Sequence, residues 1–185
     1  VMTAALNGHA PIVGALQRAG ADVAAADGNG WTPLIYASLK GHLAVVELLV
    51  KGGADVQARD GEGKTALMYA SQNGHVKVVE VLLGAGAGAG GTDAEGWTAA
   101  MYAAIDGHVS TVEALISAGA DVCAVNSGGL TATMCAALEG HIAIVEALIK
   151  AKADVRAANP DGGTAIIYAS EKGHVDVVEA LLRTG

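Results

Sequence analysis

Six histidines are the residues of this chain best suited to chemistry: His9, His42, His75, His108, His141 and His174. Imidazole binds zinc and exchanges protons near neutral pH. Their spacing argues against both uses. Every interval is 33 residues and every histidine follows a glycine, which marks one copy per structural repeat. Helical layers pack ~8–10 Å apart, whereas zinc requires ligand nitrogens at ~2.0–2.1 Å. One imidazole per layer cannot converge on a metal, so no metal site is expected. A polar side chain buried between layers needs a hydrogen-bond partner, and the reading is that each histidine bridges backbone groups of adjacent layers. His42, His75, His108, His141 and His174 are therefore assigned a structural role.

The other chemical motifs fare no better. Residues 86–91 satisfy G-x-G-x-x-G, but a dinucleotide site needs that motif after a strand and opening a helix, and here it follows a helix. Gly63-Lys64-Thr65 resembles the end of a phosphate loop, yet position 58 is Ala where that loop needs Gly. Cys123 and Cys135 are too few for a disulfide framework and lack metal-ligand spacing. No Ser/His/Asp, Cys/His or paired-carboxylate set stands outside the repeating register. The expectation is no catalytic residue, no enzyme activity, no cofactor and no small-molecule substrate.

The elements that carry these residues follow from the same ruler. The segments TPLIYASLKGH (32–42), TALMYASQNGH (65–75), TAAMYAAIDGH (98–108), TATMCAALEGH (131–141) and TAIIYASEKGH (164–174) are five copies of one inner helix. Thr32, Thr65, Thr98, Thr131 and Thr164 are placed as N-caps, Pro33 suits a first helical position, and the Gly of Gly-His suits the end. A second helix follows, apolar at Val45, Val46, Leu48 and Leu49, with Glu47, Glu80, Glu113, Glu146 and Glu179 toward solvent. A short extended stretch and a turn such as Asp60-Gly61-Glu62-Gly63 lead to the next copy. One helix pair cannot bury both faces, so copies must stack. The repeats are 1–27, 28–60, 61–93, 94–126, 127–159 and 160–185, the first and last incomplete, forming one array over 1–185. Val1 begins within an inner helix, and Val1-Met2 and Leu181-Leu182 look uncapped, so the expectation is a fragment of a longer array.

Composition supports thin, closely packed layers. Hydrophobic residues make up 52% of the chain but aromatics only 3%, with no Phe, so the core must be built from small aliphatics. The formal charge of −8 disfavours phosphate-backbone binding and hence nucleic acid, and no apolar run approaches the ~20 residues that span a bilayer. Direct membrane insertion is not expected. Two cysteines without a disulfide pattern fit a reducing interior, and the chain is read as intracellular, in the cytoplasm.

Gly30, Thr32-Pro33-Leu34, Ala37, Gly41-His42, Val45-Val46, Leu48-Leu49, Gly53-Ala54-Asp55-Val56 and Ala58, recurring at 33, resemble the ankyrin repeat family across the whole chain. One departure is systematic. The family's usual His after Thr-Pro-Leu is replaced by Ile35, Met68, Met101, Met134 and Ile167, so a hydrogen bond common in the family must be absent or replaced. The resemblance implies an all-α repeat solenoid of helix-turn-helix units with projecting β-hairpin-like loops, stacked as an L-shaped, curved body. It also implies a concave face of hairpin tips and inner helices that binds another protein, as an adaptor or scaffold does. The alternative is a structural spacer or packing element within a larger assembly.

Framework positions hold still among the copies while others change, and the changing ones locate the candidate face. They are Leu39 and Lys40, Gln72 and Asn73, Ile105 and Asp106, Leu138 and Glu139 before Gly-His, with Arg59 and Val125 before the turn. Trp31, Lys64, Trp97 and Leu130 occupy the position before the capping threonine, which in the family varies and faces the partner. For Trp31 and Trp97 two readings stand: interface anchors, since Trp is enriched at hot spots, or residues packed on their own loops. Tyr36, Tyr69 and Tyr102 recur on the inner helix; they form either a packing ladder with hydroxyls reaching solvent or an aromatic groove. Finally, 84–92 lacks the Asp and Val that other repeats place after Gly-Ala. Loss of that Val as an apolar plug, together with the entropy of extra glycine, predicts a soft joint between the third and fourth repeats.

Overall fold

The computed structural model describes residues 1–184. Among them are twelve helices, alternating short inner and longer outer ones. They are α1 Met2–Leu6, α2 Ala10–Arg18, α3 Pro33–Leu39, α4 Leu43–Lys51, α5 Ala66–Gln72, α6 Val76–Gly84, α7 Ala99–Ile105, α8 Val109–Ser117, α9 Ala132–Leu138, α10 Ile142–Lys150, α11 Ala165–Lys172 and α12 Val175–Leu182. Consecutive helices pack as pairs, which makes the chain an all-α array of helix-turn-helix repeats.

The chain divides into two compact units, Val1–Gly88 and Ala89–Gly185. In the first, the inner helices α1, α3 and α5 stack in a row and the outer helices α2, α4 and α6 in a second row. In the second, α7, α9 and α11 form the inner row and α8, α10 and α12 the outer one. The small-residue inner helices explain the close layers: α7 buries Ala99, Ala100, Met101, Tyr102, Ala103 and Ala104, nearly its whole length. Outer helices bury a single stripe at i, i+1 and i+4, such as Val45, Val46 and Leu49 or Ile144, Val145 and Leu148, and leave the five glutamates exposed.

Each inner helix starts where a side chain satisfies its free backbone donors. Thr32, Thr65, Thr98, Thr131 and Thr164 are the N-caps, and their hydroxyls accept from the N–H of Ile35, Met68, Met101, Met134 and Ile167 at 3.2–3.4 Å. The family's histidine slot thus keeps its backbone role. Its side chain becomes core in Ile35, Met68, Met101 and Met134, each at most 2% exposed.

The loops are tighter than a hairpin ladder. Their only bridges among the described residues are isolated antiparallel pairs, Arg59 with Thr65, Thr92 with Thr98 and Ala158 with Thr164. The turn itself is built by a side chain: Asp60 Oδ1 accepts the N–H groups of Glu62 and Lys64, both at 2.9 Å. A carboxylate or amide supplies an acceptor that a longer ladder would otherwise provide.

Candidate protein-binding face

The histidines sit at the start of the outer helices and reach back to the preceding layer. Nε2 of His42 lies 3.0 Å from the Leu6 carbonyl, and His75 lies 3.1 Å from that of Leu39. In the second unit His141 lies 3.2 Å from the Ile105 carbonyl and His174 3.2 Å from that of Leu138. A carbonyl only accepts, so Nε2 carries the proton in each. His108 occupies the same register, half-buried, as the N-cap of α8. The Gly-His glycine of the preceding layer provides the seat for the ring: a Cβ on Gly41 would lie 2.6 Å from His75, and one on Gly107 2.7 Å from His141. Among the described residues no three His, Cys, Asp or Glu side chains converge in a way that could hold a metal ion.

The tyrosines differ from the expectation of solvent-facing hydroxyls. Tyr36 donates to Asp27 Oδ2 at 2.7 Å, Tyr69 to Asp60 at 2.6 Å and Tyr102 to Asp93 at 2.5 Å. The aspartate that builds each turn also anchors the inner helix nine residues on. The two faces of that bond show in its electrostatics. Asp27 is held below its ordinary value, first by the Tyr36 hydroxyl and then by the Asn29 and Trp31 backbone, while Tyr36 is raised, chiefly by donating to Asp27. In the sixth repeat the polarity reverses, because Asn159 Nδ2 donates to the Tyr168 hydroxyl at 2.8 Å. In the fifth, Asn126 keeps the turn while Cys135 replaces the tyrosine. Burial pushes the Cys135 thiol up to about 12, so the thiol is protonated at neutral pH and packs within α9.

The position before the threonine is coupled to these rings. The Trp31 ring lies 5.0 Å from Tyr36 and 4.7 Å from Tyr69 of the next layer. The Trp97 ring stacks on Tyr102 at 5.2 Å. Lys64 places its ammonium 5.7 Å from the centre of Tyr69, a cation–π distance, and meets Glu62 at 3.2 Å. Leu130 precedes the helix that carries Cys135. At Gly163 a Cβ would lie 2.6 Å from the Tyr168 hydroxyl. Trp31 and Trp97 nevertheless remain half-buried, each with part of its indole open to solvent.

The remaining candidates lie at the ends of the inner helices and on the hairpins. Lys40, Asn73, Asp106 and Glu139 are exposed C-caps of α3, α5, α7 and α9, and Leu39, Gln72, Ile105 and Leu138 just before them are half-buried. Arg59 is exposed and donates to the Gly63 carbonyl at 2.8 Å. Val125 is 56% exposed. In the first unit the hairpin residues Trp31 and Arg59, with Tyr69 behind them, line a groove of about 570 Å³.

Composition patterns missed two features. The hydroxyls of Ser38, Ser71 and Thr133 are buried without a hydrogen-bond partner. The only available signal was comparison between copies, since the slot of Ser38 and Ser71 holds Ala104 and Ala137. The tyrosine–aspartate bonds were also missed, although their constant nine-residue spacing was readable.

The family described as ankyrin repeats (3 copies) matches at residues 1–92, 59–126, 85–159 and 124–185, together the whole chain. The chain belongs to the ankyrin repeat family. Comparison with curated proteins returns no match. Ankyrin repeats are generally protein–protein interaction modules, typically without catalytic activity. In this ankyrin array no described helix is long and apolar enough to cross a membrane.

Proposed function

We propose that this ankyrin array is an intracellular adaptor or scaffold that grips a partner protein along its hairpin tips and inner-helix ends. The observation that carries this reading is Val125. Among the described residues, the exposed large hydrophobics are Ile12, Val125, Ile167, Val175 and Leu182, and only Val125 lies outside the first and last repeats. It stands on a hairpin, at a position that varies between copies; Leu130 on the same hairpin and Trp97 on the preceding one are half-buried. An apolar residue displayed where the packing does not require one fits an interface core.

The framework contrast supports the same surface. Threonine caps α3, α5, α7, α9 and α11, and His42, His75, His141 and His174 keep the same interlayer bond, whereas Lys40, Asn73, Asp106 and Glu139 share one structural slot with a cation, an amide and two carboxylates. The test is a photo-crosslinking amino acid placed at Val125 or Lys40, with Glu47 and Glu113 on the outer helices as controls. Adducts with a partner are expected from the first pair and not from the second. Adducts only from the outer helices would overturn the assignment.

A second reading, a packing element within a larger assembly, draws on the sixth repeat. Ile167, Val175 and Leu182 are 42%, 66% and 64% exposed, and Val155, Ile166, Leu181 and Leu182 border a groove of about 440 Å³. Burial of those residues in the assembled state, with no adduct from Val125, would favour it.

A further inference from the structure

We propose that the hairpin and inner-helix-end face of the Ala89–Gly185 unit docks a basic, apolar-containing extended segment of a partner protein. This rests on the protein-binding function proposed above and names the chemistry of its ligand.

Charge is distributed unevenly between the two units. Val1–Gly88 carries six Lys and Arg against seven Asp and Glu, a net of −1, whereas Ala89–Gly185 carries five against twelve, a net of −7. On the candidate face the contrast is sharper. The first unit presents Lys40, Arg59 and Lys64. The corresponding positions of the second are Asp106, Glu139 and Lys172, then Thr92, Val125 and Ala158, then Trp97, Leu130 and Gly163. Lys172, at the end of α11, is the basic residue of the second unit in this series.

The apolar part of the face is Val125 with the half-buried Trp97 and Leu130. The two hairpins are tied together, since the Ser127 N–H donates to the Glu95 carbonyl at 2.9 Å. Asp106 and Glu139 stand at the ends of α7 and α9, which pack against each other. His141 holds the Ile105 carbonyl beside Asp106 at 3.2 Å, so that end is fixed relative to the next layer.

These two carboxylates work against their own helices. A helix C-terminus is negative and favours a cation, as Lys40 supplies in the same slot of α3. Asp106 and Glu139 have no salt bridge among the described residues. Local stability therefore does not account for them, whereas a cationic ligand does, since opposite charges steer encounter and set register. Layers lie ~8–10 Å apart, and a polyproline-type segment returns to one face every three residues, about 9.3 Å. Lys or Arg residues three apart, with an apolar residue between them, match both the carboxylates and the Val125–Trp97 strip.

The test is panning of a random 12-residue phage-displayed peptide library on the full chain, followed by titration of the enriched peptides. Enrichment of peptides with Lys or Arg at three-residue spacing around an apolar residue is expected. Their affinity should fall at least tenfold in Asp106→Asn/Glu139→Gln. It should change less than twofold in Glu113→Gln/Glu146→Gln, which removes two exposed charges from the outer helices. Equal losses in the two variants would mean unspecific attraction to an acidic protein and overturn the proposal. Enriched peptides without basic bias, but lost in Trp97→Ala, would overturn it and leave the protein-binding function standing. Peptides insensitive to Trp97, Asp106 and Glu139 alike, or no enrichment, would overturn it too, while crosslinking at Val125 and Lys40 decides the protein-binding function separately.

Discussion

The Asp27–Tyr36 hydrogen bond shows how one residue joins a loop to a helix. Its carboxylate accepts from the Asn29 and Trp31 backbone at 2.9 and 3.0 Å and from the tyrosine hydroxyl at 2.7 Å. Folding lowers the Asp27 pKa below its ordinary 3.8, so the stability it contributes is present above that value and disappears as pH falls through the folded one. Asn occupies the same slot at Asn126 and Asn159, which makes Asp27→Asn a conservative probe. Wild type is expected to be the more stable protein at pH 7, and the gap in urea midpoints should close below pH 4. A gap that stays constant as pH falls from 7 into the acid-unfolding range would show that the charge on Asp27 is not its source. Tyr36 is raised above its ordinary 10.0, so its share is full below pH 10 and is lost above it.

At the scale of the element, the Gly-His pair ends one helix and begins the next while locking two layers together. Gly107 has φ +80° and its missing Cβ leaves room for the His141 ring, whereas Gly119 has φ +83° with nothing within 4 Å of a Cβ. Alanine at either site meets left-handed strain of ~1–2 kcal/mol. Only at Gly107 does it also displace the imidazole, adding roughly 1 kcal/mol for the lost hydrogen bond. Gly107→Ala should therefore destabilise by ~2–3 kcal/mol and Gly119→Ala by ~1–2 kcal/mol in urea unfolding. The extra cost should vanish in a His141→Ala background, because the two residues share one interaction. Equal effects of the two alanines in wild type would mean that the ring does not need the glycine seat.

At the scale of the whole molecule, the boundary between the two compact units falls at Gly88, inside the glycine tract. The softness expected there has a second source besides the missing Val. Val56, Val122 and Val155 are only half-buried, and Ala87 stays buried at 7% exposed. The third repeat also lacks the carboxylate that follows Gly-Ala in other repeats. Asp55 accepts from the Gln57 N–H at 2.8 Å, and Asp121 and Asp154 accept likewise from Cys123 and Arg156 at 2.9 Å, whereas Gly88 has no side chain to do so. Amide exchange is expected to be faster at 84–92 than at 52–58, and Gly88→Asp should slow it. Equal protection of the two segments in wild type would refute the soft joint. Much of this architecture was legible in one sequence, because a repeat prints its register many times: the 33-residue interval, the threonine caps and the glycine stops are local signals that each copy restates. The variable face was legible for the same reason, as positions such as 40, 73, 106 and 139 that break the pattern. The bonds from Tyr36, Tyr69 and Tyr102 to the turn aspartates left only a constant nine-residue spacing, and the stacking of Trp31 across two layers left no mark at all. They join residues that the chain brings together only by folding back or by stacking, and sequence alone determines a side chain's type and register, while the tertiary structure decides which neighbour it meets.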